Sequence, residues 1–437
     1  MSKLLIRGGT IVTMTGPARA PLTTDLAVED GLIKALFPVG DALPRWQPDE
    51  TIDATGLLVL PGFSNTHSHA AMTILRGMAD DFPLKEWLEA KIWPAETRLS
   101  REDVYWGALL GLAEMIRSGI TSLADMYFYA EEVARAVEEA GVRALLARGL
   151  FSRAWEASLN EGLDLHQRWQ GRGNGRISVA LAPHAPYTCS PPHLKEVRQL
   201  AGQLGVPIHI HLAETRREVE ESRKNHGLTP VEFLERLGLF EVPVLAAHCV
   251  HLSPSDVELI ARRQVQVSHN PVSNAKLGSG IAPLPALLHS GARVALGTDG
   301  AASSNRLDMF GTMRQAGFLQ KAANEDPTFP DAYQLLRLAT QGGSQLFPGS
   351  GQITPGANAD LILIDPDRPH LTPSWDVYSS LVYSTQPQDV RTVIIGGRTV
   401  MKDWELLTID EAAVIREVRK RAAGLASHEV QAPLRDR

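Results

Sequence analysis

Residues 57–69 read LLVLPGFSNTHSH, and this stretch decides the fold and the chemistry predicted for the chain. The apolar run at its start is typical of a short buried strand, which Pro61 and Gly62 then interrupt. Residues two apart in an extended segment point the same way, so His67 and His69 direct both imidazoles to one point. Such a pair indicates a metal site if other strand ends supply further ligands, and two surface histidines if they do not.

The composition is that of an ordinary globular protein without a strong charge. Of 437 residues, 44% are hydrophobic and 21% are charged, and the net charge is −7. This balance argues against a nucleic-acid partner and adds nothing in favour of binding to an anionic membrane surface. No apolar run approaches the roughly 18 residues of a spanning helix, and the first residues show no signal-peptide pattern. Because two cysteines, Cys189 and Cys249, are too few for a disulfide scaffold, we predict a cytoplasmic protein.

Strand and helix patterns alternate between residue 57 and about residue 305. Helical patterns separate the strands, and capping residues such as Ser100 and Ser253 precede several of them. Eight such units predict a TIM (β/α)8 barrel. A doubly wound sheet would need a Gly-rich phosphate turn after its first strand, where none occurs. The strand candidates are 57–63, 120–126, 143–150, 177–183, 206–212, 243–249, 264–269 and 292–298.

Both ends of the chain have short strands separated by turns. They occupy residues 3–55 and, after about residue 350, 360–365 and 392–401, with a Gly396-Gly397 hairpin turn. Neither group can bury both faces alone, so we predict one small β-sandwich domain built from both termini. The expected division is 1–56 plus 350–437 for this domain, with a C-terminal helix at 409–425, and 57–349 for the catalytic barrel.

Imidazole and carboxylate groups follow four of the predicted barrel strands. Active sites of such barrels lie at the carboxyl ends of the strands, where these side chains would meet. Nitrogen and carboxylate ligands without thiolate suit Zn²⁺ or Fe²⁺. We therefore predict one divalent ion, zinc before iron. The assigned ligands are His67, His69, His211 and Asp299.

Two choices within this ligand set depend on neighbouring residues. His209 also points inward on the fifth strand and competes with His211, but Glu214, three residues beyond His211, favours the latter. A bridging lysine for a second ion would be expected at the end of the fourth strand, and Ala182-Pro183-His184 stands there instead. A single ion is therefore the prediction.

With these residues in place, the chain resembles the amidohydrolase superfamily, and within it the 5-methylthioadenosine/S-adenosylhomocysteine deaminases. The resemblance covers nearly the whole chain. The motifs that carry it are PG at 61–62, HSH at 67–69, MT at 72–73, LRG at 75–77, EWL at 86–88, PAE at 94–96, APHAPY at 182–187, HLAET at 211–215, AHCV at 247–250, HNP at 269–271 and GTDG at 297–300.

The resemblance implies hydrolytic deamination of adenine nucleosides at C6 by a metal-activated hydroxide, giving the inosine analogues and ammonia. Asp299 would be both ligand and general base, Glu214 would protonate N1 of the ring, and His248 would hydrogen-bond the attacking oxygen. Glu214 as the first carboxylate of a helix, favoured by the helix dipole, is the structural alternative. His248 could equally fill a core position.

Substrate contacts are implied for four further residues, in addition to Glu214 and Asp299 at the ring. Glu96 would accept hydrogen bonds from the ribose diol, and Arg148 with His184 would hold the nucleoside. Trp87 would form an apolar wall, although it could also be part of a helix core. Arg148 could instead pair with a buried carboxylate such as Asp125. No role is assigned to Arg153, where the chain departs from the family pattern.

Two other functions compete with this one. The same metal site could serve a deaminase or chlorohydrolase acting on a free purine, pyrimidine or triazine ring; Glu96 and Arg148 favour a ribosyl substrate, since a free base has no diol. A non-catalytic scaffold is the alternative of another class, and the complete ligand set argues against it. The zinc deaminases with H-x-E and P-C-x-x-C are excluded by cysteines 60 positions apart. The preferred nucleoside and the existence of a homo-oligomer stay open.

Overall fold

The computed structural model describes residues 2–16 and 20–427. Its strands are β1 (Lys3–Ile11), β2 (Leu22–Glu29), β3 (Leu32–Phe37), β4 (Glu50–Asp53), β5 (Leu58–Pro61), β6 (Phe63–Ser68), β7 (Ile120–Tyr127), β8 (Arg143–Leu150), β9 (Ile177–Pro183), β10 (Ile208–Leu212), β11 (Val244–His248), β12 (Gln266–His269), β13 (Arg293–Leu296), β14 (Leu361–Ile364), β15 (Val390–Ile395), β16 (Arg398–Lys402) and β17 (Glu405–Leu406).

The helices connect these strands and cover the sheets. They are α1 (Leu84–Glu86), α2 (Trp93–Glu96), α3 (Arg101–Arg117), α4 (Ala130–Ala140), α5 (Trp155–Trp169), α6 (Arg172–Gly175), α7 (Pro191–Leu204), α8 (Arg216–His226), α9 (Pro230–Arg236), α10 (Pro254–Arg262), α11 (Pro271–Lys276), α12 (Leu284–His289), α13 (Ala301–Ser304), α14 (Met309–Asn324), α15 (Ala332–Ala339), α16 (Val377–Ser379) and α17 (Glu411–Ser427). A π-helical turn, Trp87–Ile92, joins α1 to α2.

Eight parallel strands, β6 to β13, lie side by side in chain order. Their residues are buried on both faces, as a parallel sheet covered by helices requires. At the carboxyl end of the strands, the first and last come together, since the Asp299 N–H donates to the His67 carbonyl (3.0 Å) and the Thr298 N–H to Asn65 Oδ1 (2.9 Å). The predicted TIM barrel is confirmed.

The barrel interior is filled from below by Phe347. Its ring packs among small and medium side chains of four barrel strands, including Ala124, Ala147, Ala180 and Leu245. The segment that carries it begins near Gly343, which packs against the start of β6 so tightly that a Cβ would lie 2.5 Å from the Ser64 side chain. This segment closes the amino end of the barrel and leaves the carboxyl end for a pocket.

The predicted strand 57–63 is wrong, because the chain changes sheets within it. Leu58–Pro61 pairs with β14 and β1 of the terminal sheet, whereas Phe63–Ser68 is the first barrel strand. The change falls at Gly62, whose N–H donates to the Asp360 carbonyl of the terminal side, while the Phe63 N–H donates to Gly119 beside the barrel. A Cβ at position 62 would lie 2.1 Å from Thr121, so only glycine fits there.

The strands from both termini form one continuous sheet, which confirms their predicted union. Its order is β17-β16-β15-β14-β5-β1-β2-β3, with β4 paired to β1. The chain then returns to the barrel, where α17 lies against α3 and Arg421 donates to Asp103 (3.0 Å) and Glu102 (2.7 Å). The domain limits at 1–56 plus 350–437 and 57–349 stay a prediction. Within the described ranges, no helix has the length and apolar character needed to cross a bilayer.

A buried ion pair joins the terminal sheet to the barrel. Asp360 accepts two hydrogen bonds from the Arg143 guanidinium (3.0 and 3.1 Å), one from Ser350 Oγ (2.7 Å) and one from the Gly396 N–H (2.7 Å). Asp360→Asn leaves the Arg143 charge without its partner, and we expect a loss of about 3–5 kcal/mol in the free energy of unfolding. The urea midpoint measures this loss. Glu50→Gln, which removes an exposed pair with Lys402, should change it by less than about 1 kcal/mol.

Candidate active site

The carboxyl end of the barrel brings the four predicted ligands together. His67 and His69 come from β6 and the residue after it, His211 from β10, and Asp299 from the loop after β13. One nitrogen each of His67, His69 and His211 lie within 4.8 Å of one another, as do single ligand atoms of His67, His248 and Asp299. Asp299 Oδ1 is 3.4 Å from His67 Nε2 and 3.3 Å from His69 Nε2. The side chains therefore converge on one centre.

Hydrogen bonds orient these imidazoles. His69 Nδ1 donates to the Met126 carbonyl (2.5 Å) and His211 Nδ1 to the His184 carbonyl (2.7 Å). Both rings therefore carry their proton on Nδ1 and present a bare Nε2 to the centre. A metal-ligating histidine has this arrangement, because the outer bond sets both tautomer and orientation.

His67 carries the clearest sign that the site suits a cation. Its Nδ1 lies 2.9 Å from His209 Nε2, and its Nε2 is buried without a hydrogen-bond partner. Burial lowers the pKa of His67 to about 4, which keeps the ring neutral at pH 7. A neutral, buried and unpaired nitrogen facing a carboxylate and two further imidazoles fits a divalent ion. His209, the rival of His211, lies behind His67 in this arrangement.

The Asp299 carboxylate is held in a fixed orientation. Its Oδ2 accepts hydrogen bonds from Ser273 (2.5 Å) and Ser303 (2.8 Å), and its Oδ1 accepts one from the Gly300 N–H (2.8 Å). Burial alone would raise the pKa of Asp299, but the neighbouring imidazoles of His67 and His69 hold it well below the usual range. Asp299 therefore faces the centre as an ionised group and can accept a proton.

Glu214 and His248 lie beside this centre. Left-handed backbone at Ala213 (φ 50°) and His248 (φ 74°) turns both chain segments at the strand ends, and Glu218 accepts the N–H groups of Ala213 (2.9 Å) and Glu214 (2.8 Å). Burial raises the pKa of Glu214. Burial would lower the pKa of His248, but the nearby carboxylates of Glu214, whose Oε1 is 3.8 Å from His248 Nδ1, and Asp299 raise it. Glu214 is thus suited to hold a proton and deliver it to a bound molecule.

A pocket of about 360 Å³ opens from these groups toward solvent. The predicted catalytic residues line its inner end. Its walls are mainly aromatic and apolar, as small-molecule sites usually are. All of the predicted substrate residues also line it, namely Trp87, Glu96, Arg148, His184, Glu214 and Asp299.

The predicted substrate residues differ in how firmly they are held. Burial raises the pKa of Glu96 to about 7, against the opposing effects of the Tyr127 hydroxyl and the His69 imidazole. The Arg148 Nε donates to Glu161 at 2.5 Å, not to Asp125 as the alternative supposed. His184 stacks on Phe151 with ring centroids 4.5 Å apart, and burial lowers its pKa to about 3. Glu96 is therefore a proton-dependent acceptor, whereas His184 is neutral.

Comparison with known proteins gives the family. The model of the amidohydrolase family matches residues 58–400. The chain belongs to the amidohydrolase family. A 5-methylthioadenosine/S-adenosylhomocysteine deaminase of Pelotomaculum thermopropionicum is 48% identical over 433 residues, covering 98% of this amidohydrolase and 100% of the relative. The same enzyme of Syntrophomonas wolfei is 50% identical over 406 residues, covering 92% and 94%.

A solved structure resembles this amidohydrolase over nearly its full length. An adenosine deaminase of Xanthomonas campestris with bound zinc superposes with a TM-score of 0.93 and is 37% identical, covering 98% of this chain and 99% of its own. The predicted resemblance and the prediction of a hydrolase are confirmed. Two overlapping groups in this amidohydrolase, His67 with His69 and His211, and His67 with His248 and Asp299, could hold a metal ion.

Several pocket residues of this amidohydrolase were missed by sequence reasoning. Arg153 lines the pocket, and its guanidinium lies over the rings of Trp93 (5.2 Å) and Phe151 (5.3 Å). Tyr127 and Phe128, at the end of β7 and just beyond it, line it too. Aromatic residues at a strand end are common in ordinary cores, so the sequence carried no specific signal for them. The sequence places Arg153 where a second substrate arginine could lie, but its local pattern departs from the family and supports no role.

Trp87 is part of the pocket wall and also part of a helix core, the two possibilities that the sequence allowed. It is buried in the helical stretch from Leu84 to Glu96, its Nε1 donates to the Ala79 carbonyl (2.9 Å), and it lines the pocket. His269, by contrast, is buried outside the pocket lining with neither ring nitrogen hydrogen-bonded. Burial lowers its pKa to about 4. We assign His269 no part in the site.

Proposed function

We propose that the chain catalyses metal-dependent hydrolytic deamination of adenine nucleosides at C6, converting 5′-methylthioadenosine and S-adenosylhomocysteine to the inosine analogues and ammonia. One observation carries the proposal. A single pocket has two carboxyl groups of opposite proton affinity, Glu214 and Asp299, beside the imidazoles at its inner end and a third, Glu96, farther out. The names and high identity of the relatives support the same substrates.

The metal in this proposal is one zinc ion, with iron as the alternative. His67, His69, His211 and Asp299 would hold it, in keeping with the bare imidazole nitrogens and the ionised carboxylate. The related adenosine deaminase was solved with bound zinc, which supports this choice. A divalent cation in such a site supplies a Lewis acid that makes water a nucleophile near neutral pH.

The proton transfers fall to residues of the chain. As the water oxygen bonds to C6, Glu214 donates its proton to N1, so the ring does not accumulate negative charge. Asp299 accepts one water proton and passes it to the amino group, and the C6–N bond breaks to release ammonia. The remaining hydroxyl proton restores protonated Glu214, and His248 hydrogen-bonds the oxygen throughout. This sequence needs one acid and one base in the same pocket, and their pKa shifts run in those directions.

The outer part of the pocket selects the nucleoside in this proposal. Glu96 accepts from the ribose diol, Arg148 and His184 hold the nucleoside, and Trp87 packs against its apolar surface. Charged hydrogen bonds of this kind are worth about 1.5–3 kcal/mol each. A free base would lack the diol contact.

An ammonia-release screen tests the proposal. The purified metal-loaded protein is offered adenine nucleosides, free purines and pyrimidines, and triazines. We expect turnover of adenine nucleosides modified at the 5′ position. Activity on free rings alone would instead favour the deaminase or chlorohydrolase alternative, and a folded protein that binds no metal and releases no ammonia would favour the scaffold.

The ionisation of Glu96 predicts a pH dependence of substrate binding. Its pKa of about 7 means that the carboxylate is lost as pH falls through 7, and with it an acceptor for the diol. We expect KM for 5′-methylthioadenosine to rise below pH 7. Glu96→Gln should raise KM about 10- to 100-fold at pH 8 and remove this pH dependence. Initial rates between pH 5.5 and 8.5 measure both effects.

A substrate without the diol provides the control for Glu96. With the 2′,3′-dideoxy analogue, wild type and Glu96→Gln should have similar KM values at every pH. A substitution that raises KM equally for both nucleosides would contradict the diol contact and indicate a general disturbance of the pocket wall.

We also propose the cytoplasm as the location of this enzyme. Cys189 and Cys249 are free and buried, and burial raises the pKa of both thiols, so neither is a reactive or disulfide-forming group in this fold. A protein without disulfides is compatible with a reducing compartment.

A further inference from the structure

Lys276 links the end of its own helix to two other chain segments beside the pocket. It ends α11, the short helix that follows β12. Its ammonium reaches Asp80 Oδ1 at 2.5 Å, the Ala302 carbonyl at 3.4 Å, and Asn305 Oδ1. An ammonium has three protons, so these acceptors match its donors in number. The neighbouring Leu277 lines the pocket, whereas the charge of Lys276 is directed to the protein itself.

The contacts of Lys276 with Ala302 and Asn305 affect the segments that orient Asp299. The serines that hold Asp299 Oδ2 come from two short helices, Ser273 from α11 and Ser303 from α13. Lys276 is the last residue of the first helix, and Asn305, with left-handed backbone (φ 61°), directly follows the second. The ammonium therefore joins the ends of both helices that fix this carboxylate.

The contact of Lys276 with Asp80 connects it to the pocket wall that carries Trp87 and Glu96. Asp80 precedes the helical stretch Leu84 to Glu96, and its neighbour Ala79 accepts the Trp87 indole hydrogen bond. Arg76 makes a parallel connection, since its guanidinium donates to the Asn305 carbonyl at 2.7 Å. The wall that carries Trp87 and Glu96 is thus tied to the loop that follows Asp299.

We propose that Lys276 is a positioning residue for the deamination, which sets the Asp299 carboxylate and the wall from Trp87 to Glu96 in place relative to each other. The proposal rests on the proposed function. Through Ala302 and Asn305, Lys276 acts on the orientation of the general base and hence on kcat, because small displacements of a reacting group are costly. Through Asp80 it acts on nucleoside binding and hence on KM.

Two substitutions separate these effects. Lys276→Met removes the charge but keeps a long side chain, and we expect kcat to fall about 10- to 100-fold while KM rises. Asp80→Asn weakens only the wall contact, so KM should rise about two- to fivefold with kcat unchanged.

The double variant should raise KM no more than Lys276→Met alone, since both changes break the same pair, Lys276 with Asp80. Lys195→Met on the exposed side of α7 is the matched control and should alter neither constant.

Hydrogen exchange of the metal-loaded proteins gives a readout that does not depend on turnover. Lys276→Met should accelerate exchange in residues 76–98 and 300–308, Asp80→Asn only in residues 76–98, and Lys195→Met in neither. Unchanged exchange with wild-type kcat and KM in Lys276→Met would overturn the proposal, as would additive KM effects in the double variant. If the wild type deaminates no adenine nucleoside, the proposed function fails, and the exchange pattern still decides whether Lys276 ties these loops.

Discussion

Replacing Glu214 with glutamine is expected to lower kcat for 5′-methylthioadenosine about 10²- to 10⁴-fold, the usual contribution of a general acid. Glutamine keeps the shape of the side chain but has no proton to give to N1. The metal content should stay at the wild-type level, because Glu214 lies outside the assigned ligand set. Steady-state rates together with metal analysis of the same preparation measure both quantities.

A glutamate on α8, the helix that follows Glu214, is the control for this substitution. Glu220 is exposed on α8, and Glu220→Gln should leave kcat, KM and metal content unchanged. A Glu214→Gln variant with kcat within tenfold of wild type would show that the ring is protonated by another group. Loss of metal from it would instead make Glu214 part of the ligand set.

His211→Asn is expected to remove the bound ion and nearly all turnover. The substitution deletes one of the three imidazoles that present a nitrogen to the centre, and a site with three remaining ligands holds the ion far more weakly. We expect the apparent metal affinity to fall more than about 100-fold, beyond the effect of losing an outer-shell partner. Competition with a chelator measures the affinity, and ammonia release measures turnover.

His209→Asn, two residues earlier on the same strand, distinguishes the two histidines. His209 contacts His67 Nδ1 at 2.9 Å and supports that ring from behind. Its replacement should lower metal affinity only about 10- to 100-fold and leave turnover measurable at saturating metal. If His209→Asn were the more damaging of the two, the assignment of His211 as the ligand would be wrong.

The barrel was predictable because its pattern is local and repeated. Segments 143–150 and 177–183 are predominantly apolar and become β8 and β9 with the predicted bounds. The first barrel strand was misplaced because the apolar signal lies in β5 (LVLP), whereas β6 (FSNTHS) is polar after its first residue. Only the hydrogen-bond acceptors assign the two halves to different sheets. The Gly62 N–H donates to the Asp360 carbonyl, and the Phe63 N–H donates to the Gly119 carbonyl.

The candidate site was predictable where a metal-ligating or titratable side chain lies at the end of a strand that the sequence itself indicates. His67, His69, His211 and Asp299 lie at or just beyond the carboxyl ends of barrel strands, and parallel strands in a barrel must bring their ends together. Arg153, Tyr127 and the Lys276 contacts were not predictable in this way. They depend on which loops cover the pocket and on the way in which extended side chains reach from one loop to another. Neither follows from a residue's position along the chain.

The sequence of this chain by itself predicted eight βα units, a candidate ligand set at their ends, and a family resemblance. The tertiary structure alone decided which sheet each half of residues 58–68 joins, that Arg148 pairs with Glu161, and which histidine faces the centre and which supports it. The physical reason is the range of the forces involved. Hydrophobic periodicity acts within a segment, whereas hydrogen-bond partners and burial arise only when distant segments pack together.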